Sequence, residues 1–203
     1  MKLELKNKNW QEFVIDDIFK VDKGVYLPSK KMKKGTIPYI SAKATENGFH
    51  SFIGNPKLFC GNSITIEKIK LTAFYQPYDF YCSHDVTVIK NEFLNKYNAQ
   101  FICQIINRNG VKYNYGRQAQ MNVVKREKIY LPVTNKGNPD YEFMEQYIKL
   151  KEKEKLKKFQ DFTVARLKKL KNIPQTVTLD EKKWMEFKLQ EIFETQKGNQ
   201  NKM

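Results

Sequence analysis

His84-Asp85, with Cys82 nearby, is the one set that a catalyst might use. A thiol two positions from an imidazole, with a carboxylate beside it, is the combination used by a cysteine nucleophile and its base. Strand alternation puts Cys82 and His84 on one side of the chain. No third group at a recognisable spacing orients the imidazole, so the pair reads as packing. His50, alone in a β-branched and aromatic run, reads the same way. Asp16-Asp17 gives way to Gln190-Glu191 where its segment recurs, which argues against paired-carboxylate chemistry. The phosphate-loop, dinucleotide, zinc-protease and serine-elbow signatures are absent. So is the D/N-P-P-Y/F segment with which amino-methyltransferases hold a flipped base. Cys60, Cys82 and Cys103 are odd in number and lack a C-x-x-C pair, which fits a reducing cytoplasm better than disulfides or zinc. The chain therefore reads as non-catalytic, with no metal and no cofactor of its own.

What the residues can do is bind. Lys and Arg number 37 against 22 Asp and Glu, a formal net charge of +15. That balance favours a polyanion, because neutralising phosphates releases counterions. Aromatic residues make up 13%, too many for a disordered basic tail. The richest stretch carries Tyr113, Asn114, Tyr115, Arg117, Gln118, Gln120 and Asn122. Arg, Gln and Asn side chains make paired hydrogen bonds to guanine or adenine edges, and Gly116 lets backbone approach closely. Lys30, Lys31, Lys33 and Lys34 offer charge to phosphates. Lys43, Thr45 and Asn47, then Tyr75, Gln76 and Tyr78, form two polar-aromatic loops beside strands, and His84 joins the candidates. Together they predict contact with nucleic acid.

These residues need a scaffold. From Val25 to Val133 short apolar runs are broken by Gly, Asn and Pro: TIPYISA, FHSFI, NSITIEKI, LTAFYQPY and DVTVIK read as strands, and KIYLPV closes the series. NAQFICQIIN (98–107) has the helical period, and a second, weaker helix begins near Met121. Residues 10–19 read as a short strand followed by a helical turn. The class is α+β, a β-rich globular domain followed by a long helix. That helix, from Pro139 to Lys171, has no internal Gly or Pro after its first residue and would span roughly 50 Å. Its length and charge suggest a coiled-coil or docking arm outside the domain core, with Met144, Ile148, Leu156, Phe159, Leu167 and Leu170 facing a partner. Beyond it the chain repeats itself: the Trp, Glu, Phe, Ile, Phe, Lys and Gly of the stretch from Trp10 to Gly24 recur in order and spacing from Trp184 to Gly198. The expected organisation is a β-rich binding domain over 1–138, a long helix over 139–173, and a linker with the start of a second repeat over 174–203. The chain thus reads as one unit of a two-unit protein plus the opening of the next. Nowhere does an apolar run approach membrane-spanning length, and the N-terminus lacks a signal-peptide core.

The succession GTIPYISA…NGF, AFYQPYDFYCSHDVTVI and KIYLPV…GNPDYEFMEQYI resembles the target-recognition domain of type I restriction-modification specificity (S) subunits. The specificity subunits of type IIB systems are similar. The resemblance implies two target-recognition domains per S subunit, separated by long helices that pair as an antiparallel coiled coil. Each domain reads half of a bipartite sequence in double-stranded DNA, and the helices set the unread spacer. They also dock a DNA methyltransferase subunit, which carries S-adenosylmethionine, and in some systems a restriction (nuclease/translocase) subunit joins. Applied here, it implies DNA reading by 1–138 and a spacer and dimerisation role for 139–173. It also implies a cytoplasmic, half-size S subunit whose two copies pair as a homodimer over an interrupted palindrome. The alternative is an interaction decoy that occupies the methyltransferase without reading DNA.

Overall fold

Ser63-Ile64-Thr65-Ile66-Glu67 is buried at every position, although three of its five side chains are polar. A segment covered on both faces must be a central strand whose polar side chains find partners inside. The computed structural model describes residues 3–171, Asp180, 183–188 and Glu191. In chain order the elements are β1 (Trp10–Val14), α1 (Ile15–Ile18), β2 (Lys20–Lys23), β3 (Ile37–Ile40), β4 (Phe49–Ile53) and β5 (Ser63–Glu67). There follow β6 (Ala73–Gln76), β7 (Tyr81–Cys82), β8 (Val86–Lys90), α2 (Lys96–Asn109), α3 (Met121–Arg126), β9 (Lys128–Pro132) and α4 (Tyr141–Lys171). The architecture is α+β, as the sequence implies.

The strands form three small sheets, ordered β1-β9, β2-β8-β5-β6 and β4-β3-β7. Every pairing is antiparallel except that of β3 with β7. Sequence reasoning locates most of the long strands but misses β2, whose KVDK offers a single apolar residue and becomes a strand only by pairing with β8. Ile64 and Ile66 of β5 face the main core with Leu71, Ile89, Ile102, Ile106, Ile129 and Leu131. A smaller core collects Ile40, Phe80, Cys82, Val86 and Val88.

Helix α2 packs the main core with Phe101, Ile102 and Ile106. Its start is a capping box: the Asn95 side chain accepts from the backbone N–H of Tyr97 and Asn98, and Asn98 Oδ1 accepts from the Asn95 N–H. The repeated segment at the N-terminus is the strand and helical turn expected. Its Trp10 ring stacks on Phe101 at 6.1 Å, and Ile15 and Phe19 are buried. In the second copy, 183–188 carry no helix or strand, and Trp184, Met185 and Phe187 are exposed. Most of the rest of that copy lies outside the described residues.

The chain divides into two units at Leu156/Lys157. In the first, the opening turns of α4 belong to the core, contrary to the sequence expectation that the helix stands outside it. Met144 is completely buried, and Tyr141, Tyr147 and Ile148 pack against the main core. The Tyr147 ring meets Phe101 edge-on at 5.8 Å. Asp140 starts the helix, accepting from the Phe143 N–H at 2.9 Å and from Lys8 Nζ at 2.6 Å. Asn95 Nδ2 donates to Glu145 Oε2 at 2.7 Å, tying the start of α2 to α4. Met144 is therefore a packing residue of its own domain, not a partner-facing one, and Ile148 packs half-buried against the same core. In the second unit, Phe159, Phe162, Val164, Leu167 and Leu170 are all more than half exposed. Among the described residues no helix is long and apolar enough to cross a membrane.

This division predicts opposite outcomes for two substitutions on one helix. Met144→Ala should destabilise the chain by about 2–5 kcal/mol in urea unfolding, as filled core positions do. Leu167→Ala should change monomer stability by less than about 0.5 kcal/mol. Equal effects would show that the two stretches of α4 do not differ in packing.

Candidate nucleic-acid interface

The sequence-predicted binding residues gather in three groups and a loop. The first group lies on both sides of β6. Asn47 sits in the left-handed region (φ 56°), where its amide Nδ2 donates to the Tyr75 carbonyl at 3.2 Å and to Gln76 Oε1 at 3.3 Å. Gln76 Nε2 donates in return to the Asn47 carbonyl at 3.0 Å and to Thr65 Oγ1 at 2.9 Å. Asn47, Gln76 and Tyr78 line a groove of about 760 Å³ whose walls are mainly apolar, among them Ile37, Pro38 and Phe52. Tyr78 is 75% exposed at its mouth.

A second group surrounds a polar cleft of about 240 Å³, where His84 and Gln120 meet Lys23, Lys68, Asp85 and Thr87. The Asp85 carboxylate takes a hydrogen bond from Lys68 Nζ at 2.8 Å and stands 3.3 Å from His84 Nε2. The Tyr26 ring meets His84 edge-on at 5.3 Å.

The third group is the loop before α3, a tight turn held at both ends. The Asn114 and Arg117 backbones exchange two hydrogen bonds of 3.1 Å. Asn114 Oδ1 accepts from the N–H of Gly116 and of Arg117, closing an Asx turn. Tyr115 is 80% exposed at the tip. On the N-terminal side, the buried Tyr113 hydroxyl donates to Glu127 Oε2 at 2.5 Å. On the C-terminal side, Ala119 is buried and its N–H donates to the Lys68 carbonyl at 2.6 Å. Gly110 runs so close to the same 68–72 turn that a Cβ there would lie 2.4 Å from the Lys70 carbonyl oxygen. The Arg117 guanidinium lies over the Tyr113 ring at 5.8 Å and has no ion-pair partner among the described residues.

The four lysines stand on a shaped loop. Asn55 Oδ1 accepts from the Lys33 N–H and its Nδ2 donates to the Lys31 carbonyl, pinning the segment from across the chain. Lys30, Lys31, Lys33 and Lys34 are exposed, without ion-pair partners among the described residues.

Residues 7–160 match the model of the type I restriction modification DNA specificity domain family. This chain belongs to that family. Over 149 residues it is 37% identical to the specificity subunit S.BcgI of the type II restriction enzyme BgcI from Heyndrickxia coagulans, covering 71% of this chain and 44% of that protein. Solved structures share the fold. The S subunit of a type I restriction-modification system from M. genitalium superposes with a TM-score of 0.54 at 15% identity, over 87% of this chain and 48% of that one. The HsdS subunit from Thermoanaerobacter tengcongensis gives 0.54 at 13% identity, over 82% and 44%. The specificity-domain chain therefore spans less than half the length of these relatives.

Within the specificity domain, several sequence-predicted contacts turn inward. Gln76 and Tyr113 are buried and spend their polar atoms on Asn47, Thr65 and Glu127, so they shape loops instead of reaching outward. Tyr75 is half-buried, its hydroxyl donating to Asn62 Oδ1 at 3.2 Å. Lys43 is spent on Glu46 and the Phe49 carbonyl, and holds the Glu46 carboxyl below its ordinary range. Thr45, Asn47, Tyr78, His84, Asn114, Tyr115, Arg117, Gln120 and Asn122 remain exposed, and Gln118 half-exposed. Cys82 is completely buried, and desolvation pushes its thiol far above the ordinary range. A thiol held protonated is a poor nucleophile, and Cys82 packs in the smaller core, as the sequence reading has it. Sequence reasoning missed Glu127, Asn55, Lys23 and Lys68. Glu127, Asn55 and Lys68 gain their roles from partners far away in the chain, Lys23 from the cleft it lines, and no local pattern marks them.

Burial and the Glu127 hydrogen bond push the Tyr113 phenol up to about 12 from an ordinary 10.0. A raised folded-state pKa means that the unfolded chain loses this proton first. Tyr113 thus contributes its full stability below pH of about 10 and loses it as pH climbs through about 12. Tyr113→Phe should show a shallower fall in urea midpoint over that window than the unsubstituted chain. Parallel curves would mean that the hydroxyl is not held as described.

Proposed function

We propose that this chain is the DNA-reading specificity subunit of a type I-like restriction-modification system. It would direct a partner adenine methyltransferase, and a nuclease subunit where one is present, to a bipartite target. The observation that carries this reading is the Asn114–Arg117 loop, closed on itself and anchored on either side through Tyr113 and Ala119, in a chain of the DNA specificity family. A rigid loop with an exposed tyrosine and an unpaired arginine can present fixed hydrogen-bond donors to base edges without losing much entropy on binding. The Lys30–Lys34 loop and the Lys23/Lys68 cleft supply phosphate contacts that orient the duplex. Tyr78 and His84 supply aromatic and hydrogen-bonding surface beside them.

Methyl transfer belongs to the partner, which would carry S-adenosylmethionine; no step of it is assigned to residues of this chain. The name of the S.BcgI relative, a specificity subunit of a restriction enzyme, supports such an assembly. The exposed apolar side chains of Leu156, Phe159, Leu167 and Leu170 support pairing of two copies through α4 as an antiparallel coiled coil. Two readers related by a two-fold axis would read an interrupted palindrome. Free thiols at Cys60, Cys82 and Cys103 suit the cytoplasm in which such a system works.

A map of methylated adenines in host DNA, with and without this gene, tests the assignment. An interrupted palindrome that vanishes with the gene is the expected result. Loss of a non-palindromic bipartite motif would keep the reader and remove the homodimer, and an unchanged map would remove both. Within the motif, Arg117→Ala should relax one base position, costing about 1–3 kcal/mol of discrimination. Uniform weakening on every sequence would make Arg117 a phosphate contact instead.

A further inference from the structure

Glu127 is the buried acid that neither the core nor the exposed loop accounts for. It stands between α3 and β9 with 7% of its surface exposed, yet three donors converge on its carboxylate. Oε2 accepts from the Tyr113 hydroxyl at 2.5 Å. Oε1 accepts from Lys112 Nζ at 2.6 Å and from Asn109 Nδ2 at 2.9 Å. The same Asn109 amide donates to the Lys128 carbonyl at 2.8 Å. The backbone of Glu127 is also fixed, its carbonyl accepting from the Ile15 N–H at 3.0 Å and its N–H donating to the Val124 carbonyl at 3.1 Å. One side chain thus joins the end of α2, the turn at 110–112 and the first residue of the exposed loop.

We propose that Glu127 is a positioning residue for sequence recognition, acting on Arg117 through Tyr113. This rests on the DNA-reading assignment above. The path is short. Glu127 fixes the Tyr113 hydroxyl, the Tyr113 ring lies under the Arg117 guanidinium, and Arg117 closes the turn by its backbone bonds to Asn114. Bidentate recognition of a base edge tolerates little error in the plane of the guanidinium, so whatever sets the ring beneath it sets the contact. Stability alone is a poor account of the cluster. Only the carboxylate leaves water, since Lys112 stays exposed, and its desolvation costs roughly what its hydrogen bonds return, so an apolar trio of similar volume would serve the core as well. A cluster of directed hydrogen bonds differs from such a trio in allowing a single arrangement of the ring.

The test uses the chain assembled with its methyltransferase, acting on a library of randomised DNA duplexes whose methylated products are sequenced. Unsubstituted protein, Glu127→Gln, Tyr113→Phe, Arg117→Ala and the Glu127→Gln/Arg117→Ala pair are compared. Glu127→Gln and Tyr113→Phe should relax the same base position as Arg117→Ala, by about tenfold in discrimination, and leave the other positions intact. The paired substitution should be no worse than Arg117→Ala alone, since both act on one contact. A role confined to folding would lower methylation on all sequences with the motif unchanged, and that result overturns the proposal. Should Glu127→Gln fail to fold, Tyr113→Phe, which removes one hydroxyl, decides the matter by the same readout. An unsubstituted complex with no preferred sequence would overturn the DNA-reading assignment and this inference with it.

Discussion

The two-sided burial of β5 governs this domain. Its even side chains, Ile64 and Ile66, fill the main core, and its odd ones, Ser63, Thr65 and Glu67, are buried on the opposite face. A buried polar atom must find a partner or cost one to three kcal/mol, roughly, so that face cannot be closed by apolar packing. The loops close it. Ser63 donates to the Cys60 carbonyl, and Thr65 holds Gln76, which holds Asn47. Glu67 gathers the backbone N–H groups of Ile69, Lys70 and Thr72, which keeps the buried Leu71 in the left-handed region at φ 56°. That turn then receives Ala119 from the loop before α3 and Gly110 from the end of α2. Two of the candidate groups therefore hang on one row of side chains with a period of two.

A second acid repeats the device further out. Glu127 gathers the side chains of Asn109, Lys112 and Tyr113 where Glu67 gathers backbone N–H groups, and each offsets the desolvation of a buried carboxylate with directed hydrogen bonds. The same economy appears in Asn55, which brackets the lysine loop, and in Asn95, which caps α2 while reaching Glu145 of α4. Polar side chains buried for shape leave others free for contact. Tyr115, Arg117 and Gln120 have no such task and stay exposed.

Helix α4 meets two demands with one periodicity. Near its start the apolar face is consumed by α2 and β1, through Met144, Tyr147 and the Phe101–Trp10 stack. Further along, the apolar side chains from Phe159 to Leu170 lack such cover, and lysines crowd the intervening positions. Hydrophobic spacing in the sequence is the same for a face that packs at home and one that stays exposed. The opening turns were misassigned to a partner for that reason.

The sequence alone determined the fold class, the strands with clear β-branched patterning, the start of α4 to within a few residues, the family, and the absence of catalytic motifs. Those properties rest on local propensity, periodicity and residue order, which a one-dimensional pattern carries. Tertiary structure decided which polar residues face outward. Gln76 and Tyr113 look like binding residues beside Gln118 and Tyr115, and nothing in their neighbours in the chain tells them apart. The difference lies in Thr65 and Glu127, each more than ten positions away, which offer buried hydrogen-bond partners that only the fold brings within reach. The same distance hid Glu127, Asn55 and Lys68. A side chain's exposure is settled by the partner that folding delivers, and that partner is not written next to it.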